Sequence, residues 1–218
     1  MAQFARDQFA STISGYENLD IGRTADVGGT WTRHAKSQDT RWYIYNGRVH
    51  CGALGGVYLP ATPSSANYYV ECDYIIYSDV WGAALVARMD TSVITGYAVW
   101  YQSGQWVLVR YVNGGYDWIG PQYPMSFTSG TAYRVRLTVS GGSPTTVTVR
   151  INGVDQITYI DSASPITAAG KVGLFSFNGV NDVGNGKHID NFVAVDNAAA
   201  TTARARAIWF IGDGGMER

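Results

Sequence analysis

Charged residues are scarce in this sequence: Asp, Glu, Lys and Arg make up only 15% of its 218 residues. A typical globular domain carries about 25%. The net charge is −1, and like charges form no block. A nucleic-acid-binding surface needs a basic stripe and a polybasic membrane anchor needs clustered Lys and Arg. The sequence therefore predicts neither a nucleic-acid partner nor a membrane partner.

Long apolar runs, a secretory signal and cysteine motifs are also missing. No apolar stretch is long enough to span a bilayer, and the first residues lack the basic start and apolar run of a signal peptide. The two cysteines, Cys51 and Cys72, lie in strand-like runs at a spacing that matches no zinc motif. We expect two buried thiols. A disulfide stays open, because it would require Cα atoms within about 7 Å.

Glycine and tyrosine are abundant, with 26 and 15 residues, and Asn-Gly pairs recur. Asn-Gly accepts positive φ at both central positions of a tight hairpin turn. Asn46-Gly47 and Asn152-Gly153 have strand-like runs on both sides, so each predicts a β-hairpin. Residues 133–140 alternate apolar and polar side chains, which is typical of a half-buried antiparallel strand. Many short strands without a helical period predict an all-β sandwich or closed barrel.

The composition changes after Asp196. Residues 197–207 are rich in Ala and Thr, and a sudden apolar patch follows. This pattern predicts a domain over residues 1–196 and a C-terminal linker and interaction arm over residues 197–218. A last strand or a frayed tail remains the alternative. The assembly contacts of the arm would be Ile208, Trp209, Phe210 and Ile211.

An ordered set of motifs carries a family resemblance over about residues 4–196. The set is DQF at 7–9, GGTW at 28–31, YIYNGRV at 43–49, YVECD at 69–73, GY at 96–97, VLVR at 107–110, YRVRL at 133–137, VRING at 149–153, GKVGL at 170–174 and IDNFV at 189–193. This progression resembles the concanavalin A-like and laminin-G-like jelly-roll superfamily. The resemblance implies an all-β fold, a two-sheet antiparallel jelly-roll sandwich with a C-terminal extension.

The resemblance implies several functions, because a fold does not determine one. Within the superfamily the chain looks most like domains of phage virion structural proteins. It then implies a non-enzymatic capsid decoration, head-fibre or tail-associated subunit, made in the host cytoplasm and located in the virion. Its partners would be other virion proteins, copies of itself and surface glycans. The alternative is an extracellular carbohydrate-binding or adhesion module.

A glycoside hydrolase is the remote alternative. Related glycosidases use a Glu-x-Asp-x-x-Glu strand, and here Glu71 and Asp73 supply only the first half, since Ile76 or Tyr77 stands where the second Glu belongs. The three histidines lie in no nucleophile or zinc motif, and we expect them at the surface. We therefore predict that the protein is not an enzyme.

A structural calcium ion is implied by the resemblance, because sandwiches of this superfamily often hold one. Asp7 and Asp190 stand in the matching N- and C-terminal motifs, and the family fold makes their strands neighbours. Carboxylate oxygens suit calcium. Hydrogen bonds of Asp within turns are the competing interpretation.

Sugar binding requires exposed aromatic faces beside hydrogen-bonding groups. Residues 113–118 read as a loop tip after Asn113-Gly114, with Tyr116 and Trp118 offering rings and Asp117 an acceptor for hydroxyl groups. These three are the candidate glycan contacts. The alternative is that the rings fill the sandwich or cover its edge.

Removing the predicted arm tests the division of the chain. We expect a chain truncated after Asp196 to fold, with unchanged circular dichroism and cooperative unfolding, but to lose assembly or particle binding. Unfolding of the truncated chain would instead show that residues 197–218 belong to the core.

Overall fold

The computed structural model describes residues 1–11, 17–19, 21–37, 42–51, 54–80, 82–176 and 185–197. Within these ranges the chain forms strands only, which confirms the predicted all-β fold. No helix among them could cross a membrane. The predicted arm after Asn197, with Ile208, Trp209, Phe210 and Ile211, lies outside these ranges, so the division into a domain and an arm stays a prediction.

The described strands form two antiparallel sheets. In chain order they are β1 (Gln3–Asp7), β2 (Glu17–Asn18), β3 (Ile21–Thr24), β4 (Thr30–Arg33), β5 (Trp42–Tyr45), β6 (Arg48–Cys51), β7 (Gly55–Leu59), β8 (Tyr68–Ile76), β9 (Ala83–Met89), β10 (Gly96–Gln102), β11 (Gln105–Val112), β12 (Gly115–Trp118), β13 (Tyr123–Pro124), β14 (Thr131–Gly141), β15 (Thr145–Ile151), β16 (Val154–Asp161), β17 (Lys171–Ser176) and β18 (Lys187–Asp196). The first sheet has the order β16-β15-β14-β8-β18-β6-β5-β2, and β1 pairs with β18. The second sheet has the order β12-β11-β10-β9-β17-β7-β4-β3, and β13 pairs with β11.

Asn-Gly turns form the predicted hairpins. Asn46-Gly47 connects β5 to β6 and Asn152-Gly153 connects β15 to β16, with positive φ at both residues of each pair. Asn113-Gly114 forms a third such turn, with φ of 52° and 88°. It connects β11 to β12. Residues 115–118 are therefore an edge strand, and the predicted loop was wrong because the Gly pair is followed by a hairpin partner.

The main core lies between the two sheets and is rich in aromatic rings. In β14 the buried side chains of Tyr133, Val135, Leu137 and Val139 alternate with partly exposed ones, as the sequence predicted. Rings from the two sheets meet edge to face, for example Tyr74 and Trp106 with centroids 5.0 Å apart. Such pairs add about 0.5–1.5 kcal/mol beyond the area that they bury.

The outer faces of the two sheets differ in chemistry. The outer face of the first sheet carries paired charges, for example Glu71 between Arg134 and Arg136. The outer face of the second sheet is apolar, so the central strands of this sheet are buried on both sides. A second apolar cluster lies there and comprises Ala84, Val86, Met89, Ala98, Trp100, Val107, Val109, Tyr111 and Phe175.

Both cysteines are free and buried, as the sequence predicted. Cys51 Sγ lies 2.8 Å from Ser176 Oγ. Burial raises the pKa of the Cys72 thiol well above its ordinary value. Both thiols are therefore part of the core.

The guanidinium of Arg88, whose partners among the described residues are hydroxyl and carbonyl oxygens, joins several segments at one end of the sandwich. Arg88, only 1% exposed, donates from Nη2 to the carbonyl oxygens of Ala66 and Gly141 at 2.6 and 2.7 Å. Its Nη1 donates to Thr145 Oγ1 at 3.0 Å and to the carbonyl oxygen of Ile166. Burial lowers the pKa of Arg88. Backbone carbonyls from two loops and from the end of β14 therefore solvate this cation in place of water.

Replacing Arg88 by Met tests the importance of this contact. The variant removes the hydrogen bonds from Arg88 to the Ala66, Gly141 and Ile166 carbonyls, at about 1–3 kcal/mol for each buried group left unsatisfied, so we expect a large fall in the free energy of unfolding. Urea denaturation measures it. Arg150→Met is the matched control, because the guanidinium of Arg150 forms an ion pair with the exposed Asp155, and we expect almost no change. Equal effects of the two substitutions would contradict the proposed role of Arg88.

Candidate functional site

The predicted glycan contacts Tyr116 and Trp118 lie on the last strand of the second sheet. Tyr116 pairs with Tyr111, and Trp118 pairs with Val109. Residues directly opposite each other in an antiparallel pair project to the same face of the sheet. Tyr111 and Val109 belong to the outer cluster, so both rings lie on the outer face. Tyr116 is 64% exposed and Trp118 is 47% exposed.

Packed rings support this pair from below. The ring of Tyr116 lies 5.9 Å from that of Tyr111, which in turn lies 6.0 Å from Phe175. Burial raises the pKa of Tyr111, and a neutral phenol is retained there. The adjoining cleft, lined by His34 and Ile94 among others, has a volume of only about 10 Å³. Tyr116 and Trp118 therefore present exposed rings on the outer face of the second sheet.

Asp117 faces the opposite way from the two rings. It pairs with Arg110 in the strand register, and its Oδ2 accepts a hydrogen bond from Arg110 Nη2 at 2.8 Å. Arg110 also donates from Nη1 to Oδ1 of the buried Asp161 at 2.8 Å. The structure thus keeps Tyr116 and Trp118 together and separates Asp117 from them, because side chains alternate along a strand.

The Asp161 carboxylate connects the two sheets at this edge. Its Oδ2 accepts from Tyr97 Oη at 2.7 Å, and its Oδ1 accepts from the Ser164 amide at 3.2 Å. Burial alone would raise the pKa of Asp161. The hydrogen bonds from Tyr97, Ser164 and Arg110 outweigh burial and hold this pKa below its ordinary value. This network anchors the edge of the second sheet, next to β12, to the end of β16.

The half-motif of a glycosidase, Glu71 and Asp73, lies on the outer face of the first sheet. Glu71 accepts from Arg134 at 2.8 Å and from Arg136 at 2.6 Å. Asp73 accepts from Arg134 at 2.9 Å and from Asn191 Nδ2 at 2.7 Å. All four carboxylate oxygens thus have donors, and Ile76, at the position of the missing Glu, is fully buried in the core. The contacts of Glu71 and Asp73 are those of a surface ion-pair network.

The two predicted calcium ligands do not form a common ligand set. Asp7 is fully buried and accepts from Trp31 Nε1 at 2.8 Å, from Arg23 Nη2 at 3.0 Å and from the Phe9 amide at 2.7 Å. Asp190 pairs in register with Asp73, and burial raises the pKa of Asp190. In the part of the chain that the structure describes, no three His, Cys, Asp or Glu residues could hold a metal together. Calcium stays a prediction that these contacts do not favour.

The expectation that the histidines lie at the surface was wrong. His34, His50 and His188 are each at most 2% exposed. His34 Nε2 lies 2.8 Å from the carbonyl oxygen of Asp90, and the rings of His50 and His188 stack with centroids 3.9 Å apart. Burial of this kind depends on which loops and strands pack together, which the sequence around each histidine does not indicate.

Sequence reasoning also missed the apolar outer face of the second sheet. The available signal was the continuous apolar run, for example Val107-Leu108-Val109, instead of alternation. A strand buried on both faces has such a run.

Comparison with known proteins identifies the fold. No family model and no curated protein sequence matches the chain. Among solved structures, the carbohydrate-binding module CBM66 from Bacillus subtilis matches with a TM-score of 0.53 and 15% identity, over 76% of this chain and 90% of that one. Alginate lyase Aly36B matches with a TM-score of 0.54 and 15% identity, over 88% and 96% of the two chains. The GH43 protein BlXynB from Bacillus licheniformis (mutant K247S) matches with a TM-score of 0.54 and 12% identity, over 83% and 39%.

These likenesses show the fold: the chain is a concanavalin A-like jelly-roll sandwich, as its motifs implied. By name, none of these three is a phage protein. They include both binding proteins and enzymes, so they leave the choice between binding and catalysis open.

The Asp161 network predicts a pH dependence of stability. A carboxylate whose pKa is lowered by folding stabilises the native state above its ordinary pKa of about 3.9, and this contribution is lost as the pH falls further. We therefore expect Asp161→Asn to be less stable than the wild type at neutral pH, with the difference narrowing below about pH 4. Urea denaturation over a pH series measures it.

Asp155→Asn is the control, because Asp155 pairs with Arg150 in an exposed position and should show a much smaller difference. A difference for Asp161→Asn that stays constant with pH would contradict the proposed ionisation.

Proposed function

We propose that the protein is a carbohydrate-binding module, and that Tyr116 and Trp118 form its binding surface. The observation that carries the proposal is the pair of exposed rings on a rigid strand. A large aromatic ring left exposed in a monomer is unusual when it lies next to other apolar groups, and such patches often mark binding sites. The ring of Tyr111 packs beside that of Tyr116, which remains 64% exposed.

The chemistry of a sugar ring suits this surface. A pyranose has an apolar face that packs on an aromatic ring and polar edges that form hydrogen bonds. Tyr116 and Trp118 are two residues apart, which puts them about 7 Å apart along a strand. The indole N–H of Trp118 and the hydroxyl of Tyr116 supply polar groups beside the apolar faces. Two neighbouring sugar units of an extended chain could therefore be bound together.

The ligand is expected to be uncharged. The only charged neighbour on β12 is Asp117, which points to the opposite face and is neutralised by Arg110. The outer cluster beside the rings is apolar. A neutral polysaccharide therefore suits this surface better than a uronate or sulfated chain.

The fold supports a carbohydrate-related function more than a virion role. One structural neighbour is a carbohydrate-binding module by name. The phage role depends on composition and on residues 208–211, which lie outside the described residues, and it stays a prediction. Catalysis is not part of the proposal, because the carboxylate on β12, Asp117, faces away from the two rings.

Ring substitutions test the proposal. We expect Tyr116→Ala and Trp118→Ala each to weaken binding to neutral polysaccharides about tenfold or more, equivalent to about 1.4 kcal/mol, since each removes one stacking surface. Glycan arrays followed by affinity electrophoresis measure this loss.

Asp117→Asn is the matched control, because it changes β12 without altering either ring, and binding should be retained. The proposal fails if the wild-type protein binds no glycan, or if both ring variants bind as well as the wild type does.

A further inference from the structure

A small cleft lies next to the exposed Tyr116 ring, on the outer face of the second sheet. Its walls are side chains of this sheet and of two adjoining loops, among them His34, Ile94, Ala98, Tyr111 and Phe175. The ring of Tyr111 forms one wall, and its centroid lies 5.9 Å from that of Tyr116. A ligand that stacks on Tyr116 therefore lies beside the cleft.

Small residues on β10 leave room for this cleft. Gly96 is opposite Tyr111 in the strand register, so the position beside this large ring has no side chain. Ala98 lies two residues further along the same strand and carries only a methyl group on the outer face. The rings of Tyr111 and Phe175, with centroids 6.0 Å apart, stand beside these two residues. The cleft is therefore a depression between packed rings and small side chains.

The surface of the cleft is apolar. His34 contributes an imidazole ring, but both of its nitrogen atoms are engaged within the protein. Its Nε2 lies 2.8 Å from the carbonyl oxygen of Asp90, and its Nδ1 accepts from the Lys36 amide at 3.1 Å. A bound water needs about two to four polar partners. The cleft therefore favours an apolar occupant over water.

The volume of the cleft, about 10 Å³, limits what can occupy it. This is roughly the space that one water-sized group requires. A methyl group is of this size, whereas a fatty acyl chain or a branched side chain of a partner protein is larger. The cleft thus suits one terminal methyl group of a ligand that lies on the neighbouring rings.

A polar rim adjoins the apolar cleft at the turn between β11 and β12. The Asn113 amide donates to Thr95 Oγ1 at 3.0 Å, and the Gly114 amide donates to the carbonyl oxygen of Ile94 at 2.9 Å. These bonds hold the turn against the cleft, because Ile94 and Thr95 both line it. The exposed side chain of Asn113 carries an amide that can donate and accept hydrogen bonds. An acetyl group has the complementary parts, a methyl group and a carbonyl oxygen.

We propose that the ligand of this surface is an acetylated neutral glycan, whose acetyl methyl group occupies the cleft beside Tyr111. The proposal rests on the glycan surface of Tyr116 and Trp118 and names the substituent that this surface selects. The sugar ring stacks on Tyr116, and the acetyl carbonyl oxygen accepts a hydrogen bond from the side-chain amide of Asn113. A sugar without an acetyl group leaves the cleft empty. A hydrophobic pocket distinguishes ligands that differ by one such group about tenfold or more.

Paired ligands on the full chain test the proposal. A hexamer of β-linked N-acetylglucosamine and the glucose hexamer with the same linkage differ only in an acetamido group in place of a hydroxyl group on each sugar. We expect the acetylated hexamer to bind about tenfold or more tightly in isothermal titration calorimetry. An O-acetylated glucose hexamer shows whether an ester serves as well as an amide, and a preference for either acetylated ligand supports the proposal.

Filling the cleft gives a second test. Ala98→Val adds two methyl groups at a residue that lines the cleft and leaves Tyr116 and Trp118 unchanged. We expect this variant to bind both hexamers as weakly as the wild type binds the glucose hexamer. Val107→Ile is the matched control, since it enlarges a side chain of the same outer cluster opposite Trp100, outside the cleft, and it should keep the preference. Circular dichroism verifies that both variants fold, and the paired ligands need no variant.

The outcomes separate this inference from the glycan surface itself. Equal binding of acetylated and unacetylated hexamers by the wild type would overturn the inference and leave the glycan surface standing. A preference that Ala98→Val retains would also overturn it. Binding of no glycan at all would instead overturn the glycan surface, and the inference with it.

Discussion

The buried guanidinium of Arg88 is the contact on which the end of the sandwich depends. Arg88 lies on β9 of the second sheet. It donates to the carbonyl oxygens of Ala66, which precedes β8, and of Gly141, which ends β14, and both of these strands belong to the first sheet. It also donates to the carbonyl oxygen of Ile166. Its own amide donates to Tyr68 Oη at 2.5 Å, and Tyr68 donates to the carbonyl oxygen of Ala169. The positive φ of Arg88, 53°, allows this arrangement, and Gly170 lies so close that any side chain there would collide with the Arg88 backbone. These polar bonds therefore join the two sheets at this end, in addition to the apolar packing of the core.

A second polar bond, between Arg110 and Asp161, has the same effect at the lateral edge. It holds β11, and Arg110 also bonds Asp117 on β12, the strand that carries Tyr116 and Trp118. The sandwich thus has a charged outer face on the first sheet and an apolar outer face on the second. The paired charges are thus on one outer face of the sandwich, and the exposed aromatic rings are on the other.

The sequence predicted features that depend on local residues. Asn-Gly pairs predicted hairpins, and the alternation in residues 133–140 predicted a strand with one buried face. The sequence also indicated Tyr116 and Trp118 as candidate contacts, because two large rings follow the Asn113-Gly114 turn. It wrongly grouped Asp117 with them, since a loop has no fixed alternation and the edge strand was not recognised. The acceptors around Arg88 are mostly backbone carbonyls. Every residue has one, so the residue types in the sequence do not indicate this contact. The order of strands, and hence the apolar cleft beside the rings, depends on pairing between distant segments.

The burial of both native thiols has a practical consequence. Cys51 and Cys72 are each fully shielded from water, and a buried thiol with a raised pKa is a poor nucleophile. A single cysteine introduced on the surface would therefore react with maleimide reagents without competition from the native residues. A fluorophore or spin label could be attached at one chosen position in an otherwise unchanged protein, so distances within and between molecules could be measured spectroscopically in solution.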